Sequence, residues 1–424
     1  MKIKLDYGKN GLEVNFPEKG VTVVEPRFIP GIPDPDEALR NSLRNPVNSA
    51  PLSELVKTGD KVAISICDST RAMPSGKVLP VILQELDHVP DENIRILVAT
   101  GTHRPSTAEE LERILGDKIL ARYRVINHVC TDGDSLLFLG ETASGTPVTL
   151  NRIWAESDIR ITTGFVEPHF FAGFSGGAKM VAPGLAGLET VMALHSAELI
   201  ASEKSTWGLI TENPLHTAIR EIAKMTGVHF SLDVTLNSRH EITSVQAGEL
   251  FAVHEKARIF TKAAAMQEVE EAFDLVVTTN SGYPLDLNLY QTVKGLSGAA
   301  RVVKPGGSII CASECSDGVP SGTDFAEMLA GMSSPERFLE KLTDPGFRRQ
   351  DQWQAQVLAQ VLTKAKVFLK SGGLTDEEVR ASQLEPVEKI EDKIYEILEE
   401  NPEAKICVLP QGPQTIPYLK EVSY

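Results

Sequence analysis

The sequence predicts an α/β protein of two domains, with parallel-type sheets flanking a central cleft. Three observations carry that expectation. KVAISIC (61–67) is a short, nearly all-apolar run, as expected of a strand covered on both faces, and IRILVAT (94–100) and DIRITTGF (158–165) read as further strands of that kind. Each is followed by a loop and, further on, by a helical pattern, and such alternation means parallel strands. The theme then begins afresh at FDLVVTTN (273–280), and 424 residues are too many for one ordinary domain.

The chain opens on the strand patterns KIKLDYG and LEVNFP around a GKNG turn, followed by VTVVEP. A proline-rich connector (26–35) leads to a helix beginning near Asp36. After KVAISIC come the loop DSTRAMP and a helix over about 75–86. After IRILVAT come GTHRP and a helix announced by Ser106 or Thr107 with Glu109 or Glu110 three residues on, the spacing of a capping box. A helix from Pro214 to about Met225, strands in VHFSLDVTL and EITSVQAG, and a helix from Leu250 to about Met266 follow. The second domain runs from FDLVVTTN through the loop SGYPLDLN to a helix carrying Tyr290, Gln291 and Lys294. The turn KPGG and the strand GSIICAS come next. The tail is helical over 387–400 and ends in the strand pattern AKICVLP. The expected domains are 1–268 and 269–387, with 388–424 rejoining the first.

Hydrophobic content of 42% with 24% charged residues fits a globular protein. A formal charge of −16 without a basic cluster argues against a nucleic-acid partner. The opening MKIKLDYGKNG lacks the apolar core of a signal peptide, and no apolar run approaches the roughly 20 residues of a membrane span. A cytoplasmic location is therefore expected. Five cysteines with no CxxC pair suggest neither a disulfide framework nor a zinc ribbon.

In open parallel sheets, ligands bind beyond the carboxyl ends of the strands. After the first apolar strand come Asp68, Thr70 and Arg71; after the second, Thr102, His103 and Arg104. After the third comes EPHFFAGFSGGAKMVAPGLAGLETVMALH (167–195), with His169, Gly176, Gly177, Lys179 and His195. Glycine at this density lets backbone approach a ligand or take positive φ, and a lysine among such glycines is a phosphate ligand or a nucleophile. A plain structural turn is the alternative. The loop departs from a P-loop at Ala178 and Met180, where glycine and Ser or Thr belong. GFSGG would make Ser175 a hydrolase nucleophile, but no helix opens directly behind it. His103, His169 and His195 as a zinc site would lack any HxxxH or HExxH unit. Arg71 has a local ion pair with Asp68 as its alternative, and Lys294 a solvated helix face. Gly295, Ser297 and Gly298 favour close packing instead.

DSTR, GTHRPS, EPHFFAGFSGGAK, ALHS, GYPLDLNLYQTVKG and DQW occur in the order seen in the lactate racemase family, which the chain resembles over nearly its whole length. That family depends on a nickel-pincer nucleotide, and the following roles are implied by the resemblance. Lys179 matches the lysine that tethers the cofactor, a pyridinium mononucleotide, and His195 of ALHS matches the histidine that ligates nickel. Asp68, Thr70 and Arg71 match the loop lining the cofactor and substrate, with Gly176 and Gly177 beside the tether. His103 and His169 fall on the acid/base catalysts. Tyr290, Gln291, Lys294 and Trp353 match substrate-facing residues of the second domain, and Arg71 is a further substrate-binding residue. The implied activity is racemisation or epimerisation of lactate or a related 2-hydroxy acid by reversible hydride transfer through a 2-keto acid. The implied partners are that small substrate and the enzymes that synthesise the cofactor. Ala72, Ala178 and SDGVPSGTDF (316–325) depart from the lactate enzyme's pattern. They leave the substrate open, and keep a non-catalytic binding protein on the same scaffold as the alternative.

Overall fold

The computed structural model describes residues 1–344 and 346–420. The chain forms two compact units. The N-terminal unit holds residues 28–195 and 204–263, and the C-terminal unit holds 1–27, 196–203 and the chain from Ala264 onward.

The N-terminal unit is built on six strands: β1 (Val62–Cys67), β2 (Ile94–Ala99), β3 (Arg124–Asn127), β4 (Ile159–Phe165), β5 (Phe230–Leu236) and β6 (Ile242–Gly248). Their spatial order is β3-β2-β1-β4-β5-β6, parallel throughout except for the antiparallel β5–β6 pair. All six residues of β1 are buried, because β1 has a strand on each side and side chains packed over both faces. Helix α1 (Ser75–Glu85) contributes Val78, Leu79 and Ile82 to the cluster that also takes in Ile64, Ile66, Ile96 and Val98. The strand order reverses between β1 and β4. In doubly wound sheets the ligand crevice opens outside the carboxyl ends of the strands at that reversal.

The C-terminal unit carries a second six-stranded sheet: β7 (Phe273–Thr279), β8 (Val303–Ala312), β9 (Lys366–Lys370), β10 (Glu385–Pro386), β11 (Ile406–Leu409) and the strand Val21–Val23. The order is β10-β9-β8-β7-β11 and then Val21–Val23, all parallel. Here the structure departs from the expected boundaries. The tail does not rejoin the first domain: β11 pairs with β7 from Leu275↔Ile406 to Thr278↔Leu409, and all four of its residues are buried. An apolar run of this kind needs a neighbour on each side, and the other neighbour is Val21–Val23. Residues 1–27 therefore belong here too. Their hairpin Lys2–Leu5/Leu12–Asn15 sends Leu5 and Val14 into a core with Val277, Ile310 and Ile394. Residues 196–203 form the short helix Ala197–Ala201, whose Ala197 carbonyl accepts from Gln356 Nε2 at 2.8 Å. Among the described residues no helix is long and apolar enough to cross a membrane.

Candidate active site

The loop leaving β4 is organised by a clasp. Ser175 Oγ donates to the Phe165 carbonyl at 2.7 Å and accepts from the Glu167 amide at 2.9 Å, so this hydroxyl is a structural tie and not a nucleophile. Gly176 and Gly177 follow at φ +73° and +52°. A Cβ on Gly177 would stand 2.6 Å from Cγ of His254 in helix α4 (Leu250–Ala265), so glycine is required for both backbone and space. Lys179 then falls in the 3₁₀ turn Gly177–Met180, half-buried. Three bonds hold this turn and its flanks to the scaffold. Ser65 Oγ of β1 donates to the Met180 carbonyl (2.8 Å), the Gly101 amide after β2 to the Gly184 carbonyl (3.0 Å), and His254 Nε2 to the Ser175 carbonyl (2.9 Å).

One aromatic ring gathers three of the candidate residues. The Phe171 ring centroid lies 4.5 Å from that of His169, 5.3 Å from that of His195 and 5.7 Å from Lys179 Nζ. His195 ends helix α2 (Leu188–Leu194), and its Nδ1 donates to the Val191 carbonyl at 2.8 Å, which leaves the lone pair on Nε2. Burial pushes its pKa down to about 4, opposed by the Val191 bond and reinforced by the Lys179 charge. A neutral imidazole with one nitrogen committed to a carbonyl is the form that binds a metal ion, so His195 fits the role of a lone histidine ligand.

His103, on the loop after β2, points Nδ1 at Asp68 Oδ2 across 2.7 Å. The other oxygen, Oδ1, accepts from the Thr70 amide (3.1 Å) and hydroxyl (2.7 Å). Burial alone would raise the Asp68 pKa, but the bond and charge of His103, the Arg71 charge and the Thr70 bond together bring it to about 2. Asp68 is thus a carboxylate at any ordinary pH. It keeps the neutral His103 proton on Nδ1 and turns the Nε2 lone pair outward, the arrangement of an oriented general base. His103, not Arg71, makes the short contact with Asp68.

His169 is set differently. It lies in the hairpin Pro168–His169/Gly173–Phe174, and its Nδ1 accepts from the amides of Ala172 (3.2 Å) and Phe171 (3.4 Å). Its neutral ring therefore holds the proton on Nε2. Among the described residues, no three His, Cys, Asp or Glu side chains cluster as metal ligands, so the three-histidine zinc arrangement is not assembled.

The remaining candidates lie in the C-terminal unit, on helices α5 (Leu289–Ala299) and α7 (Gln352–Lys364). Asn288 caps α5 by accepting from the Gln291 amide at 3.1 Å, and Lys294 Nζ donates to Gln291 Oε1 at 2.6 Å. The half-buried Lys294 is therefore tied along its own helix. The Trp353 indole donates to the Tyr290 phenol at 3.1 Å. Gly295 admits the close approach expected of it, since a Cβ there would stand 2.1 Å from the Thr279 carbonyl; Gly298 has nothing within 4 Å.

Sequence reading passed over Asp233, whose only signal is a lone acid inside the apolar run FSLDVTL of β5. It is fully buried, with Oδ1 accepting from the Gly177 amide at 3.3 Å and Oδ2 unpartnered among the described residues. Gly164 of β4 makes room for it, since a Cβ there would meet Oδ1 at 2.2 Å. Burial pushes this carboxyl up to about 7, partly opposed by the Gly177 bond. A carboxyl raised on folding costs nothing below its unfolded pKa near 4, and costs progressively more as pH rises to the folded value. Asp233→Asn keeps the acceptor for Gly177. It is expected to exceed the parent in stability by about 1–4 kcal/mol at pH 8, with the gap closing below about pH 4. Denaturant unfolding at the two pH values measures this, and a gap independent of pH would contradict it.

Residues 7–208 match the lactate racemase N-terminal domain, and residues 268–416 the lactate racemase C-terminal domain. The lactate racemase of Lactiplantibacillus plantarum is 36% identical over 380 residues, 89% of either chain. That of Thermoanaerobacterium thermosaccharolyticum is 32% identical over 422 residues, 98% of either chain. The solved lactate racemase apoprotein from Thermoanaerobacterium thermosaccharolyticum matches with a TM-score of 0.92 at 31% identity, over 98% of this chain and 100% of that one. A Thermotoga maritima protein of solved structure, at 21% identity and a TM-score of 0.71 over 93% of this chain, shares the fold. With both domains matched and relatives of this identity spanning most of its length, the chain belongs to the lactate racemase family, whose named members are isomerases.

Proposed function

We propose that this protein racemises lactate or a closely related 2-hydroxy acid with a nickel-pincer nucleotide tethered to Lys179. What carries this reading is the carboxylate-oriented base His103, in the same unit and at the same strand ends as the Lys179 loop and the neutral ligand His195. Inverting C2 requires breaking a C–H bond far too weakly acidic for histidine, and the bound cofactor supplies the hydride acceptor that no side chain offers. Lys179 holds the group covalently, and His195 ligates its metal through Nε2.

The chain's own part is proton handling and orientation. His103 takes the hydroxyl proton of one enantiomer at Nε2, and Asp68 stabilises the imidazolium that results. His169 serves the opposite enantiomer, whose hydroxyl points the other way. His169 can accept that proton at Nε2 once its own ring proton has passed to Nδ1, at the cost of the two amide contacts. Arg71 and Lys294 bind the substrate carboxylate, with arginine suited to bidentate contact. Thr70 and the glycines Gly176 and Gly177 line the cofactor, and Tyr290, Gln291 and Trp353 the substrate. Maturation calls on the enzymes that make the cofactor.

The deciding experiment uses lactate deuterated at C2, given to protein produced together with the cofactor-synthesis enzymes. Racemisation with deuterium kept at C2 is expected, because a hydride returned to the same molecule does not mix with solvent. Loss of deuterium to water would replace hydride transfer with proton abstraction. Binding without racemisation of any hydroxy acid in a panel would make the protein a carrier or sensor.

A further inference from the structure

Asp351 opens the DQW run and stands at the N-cap of α7, yet it does not cap that helix. Its backbone is left-handed, with φ at +62°, which aspartate tolerates only at some cost. The carboxylate is engaged away from its own helix instead. Oδ1 accepts from the Tyr290 phenol at 3.2 Å, and the same phenol oxygen accepts from Trp353 Nε1 at 3.1 Å. Gln354 Nε2 holds the Tyr290 carbonyl, and Phe325 of helix α6 (Asp324–Ala330) packs edge-on to the phenol ring at 5.2 Å. The turn ahead of Asp351 is pinned as well. Asp324 Oδ2 accepts from the Gln350 amide at 3.0 Å, and its Oδ1 from Arg349 Nη2 at 2.5 Å. A continuous series of contacts thus runs from Asp324 through Asp351 and Tyr290 to Trp353, all within the C-terminal unit.

We propose that Asp351 is a positioning residue that fixes both the place and the hydrogen-bond polarity of Tyr290. A phenol has one proton, and here the carboxylate receives it. Tyr290 can then meet a ligand only as an acceptor. It favours a group that brings its own proton, such as a hydroxyl, and disfavours a second carboxylate. The inference rests on the proposed substrate role of Tyr290 and deepens it by naming what selects the bound group.

The test is a double-mutant cycle of Asp351→Ala, Tyr290→Phe and the pair, with two readouts. In the protein without cofactor, the indole N–H resonance of Trp353, assigned by its loss in Trp353→Phe, should shift in Asp351→Ala. In the cofactor-loaded enzyme, each single variant should raise KM for lactate about tenfold with kcat within about twofold, and the double variant should be no worse than either single. Asp351→Gly, which relaxes the backbone, should match Asp351→Ala and so exclude strain as the cause. Effects that multiply in the double variant, or an unmoved indole resonance, overturn the proposal. If Tyr290→Phe leaves KM unchanged, the substrate role of Tyr290 itself has failed. If Tyr290→Phe raises KM and Asp351→Ala does not, only the role given to Asp351 has failed.

Discussion

Replacing Lys179 with arginine is expected to leave a folded chain that carries no nucleotide adduct and racemises lactate no faster than buffer. Arginine keeps the charge beside the Phe171 ring and the length that fills the half-buried turn. Its guanidinium stays protonated at every working pH and cannot serve as a nucleophile toward an acyl group, so the covalent link is the one property lost. Because the proposed cofactor would supply the hydride chemistry, no residual mechanism of comparable rate would remain in the chain. Intact mass, nickel content and racemisation rate, measured on the same preparation, check the expectation. A Lys179→Arg protein that still carried a stoichiometric adduct and turned over would place the tether on another residue.

The second large effect belongs to the two histidines. His103→Ala and His169→Ala should each lower racemisation by about 10²–10⁴-fold, the usual contribution of a positioned acid or base. Inversion needs a base for each hand, so either loss stops the full cycle. Each single variant should still oxidise one enantiomer to the 2-keto acid, detectable with a carbonyl trap, and the two should act on opposite enantiomers. Asp68→Asn should resemble His103→Ala in that assay, since an amide no longer stabilises the imidazolium or fixes the tautomer. His195→Ala should instead lose bound nickel. A single variant that racemises at nearly the parental rate, or two variants that respond to the same enantiomer, would defeat this division of labour.

The main strands were legible because central parallel strands are largely buried on both faces and so read as short runs rich in apolar and β-branched residues, as in β1, β4 and β7. Strands without that property left no such trace. Arg124–Asn127 is an edge strand with no fully buried residue, and the hairpin Leu136–Glu141/Pro147–Asn151 buries Val148 and Leu150 but leaves Phe138 exposed. The tail was misplaced for a different reason: ICVL shows that a strand must be covered, and carries no mark of which sheet covers it. The candidate site follows the same division. His103, His169 and Lys179 stood out as candidates because they follow strand ends, a property of local order. Asp233 could not, because its meaning depends on Gly164 and Gly177 arriving beside it from two other segments. The opposite tautomers of His103 and His169 depend on partners as small as a backbone amide, which no spacing rule reveals.

The pairing of Val21–Val23 with Ile406–Leu409 sets an order of events during synthesis. The first of these strands is made more than 380 residues ahead of the second. At about 5–20 residues per second, its partner follows only after tens of seconds. In that interval the whole N-terminal unit is produced as residues 28–195 and 204–263, and it can close around its own core. The early strand has no such option, since its sheet neighbour does not yet exist. Residues 21–23 therefore stay open to chaperones and proteases until Ile406–Leu409 has been made, and the second sheet is sealed only then.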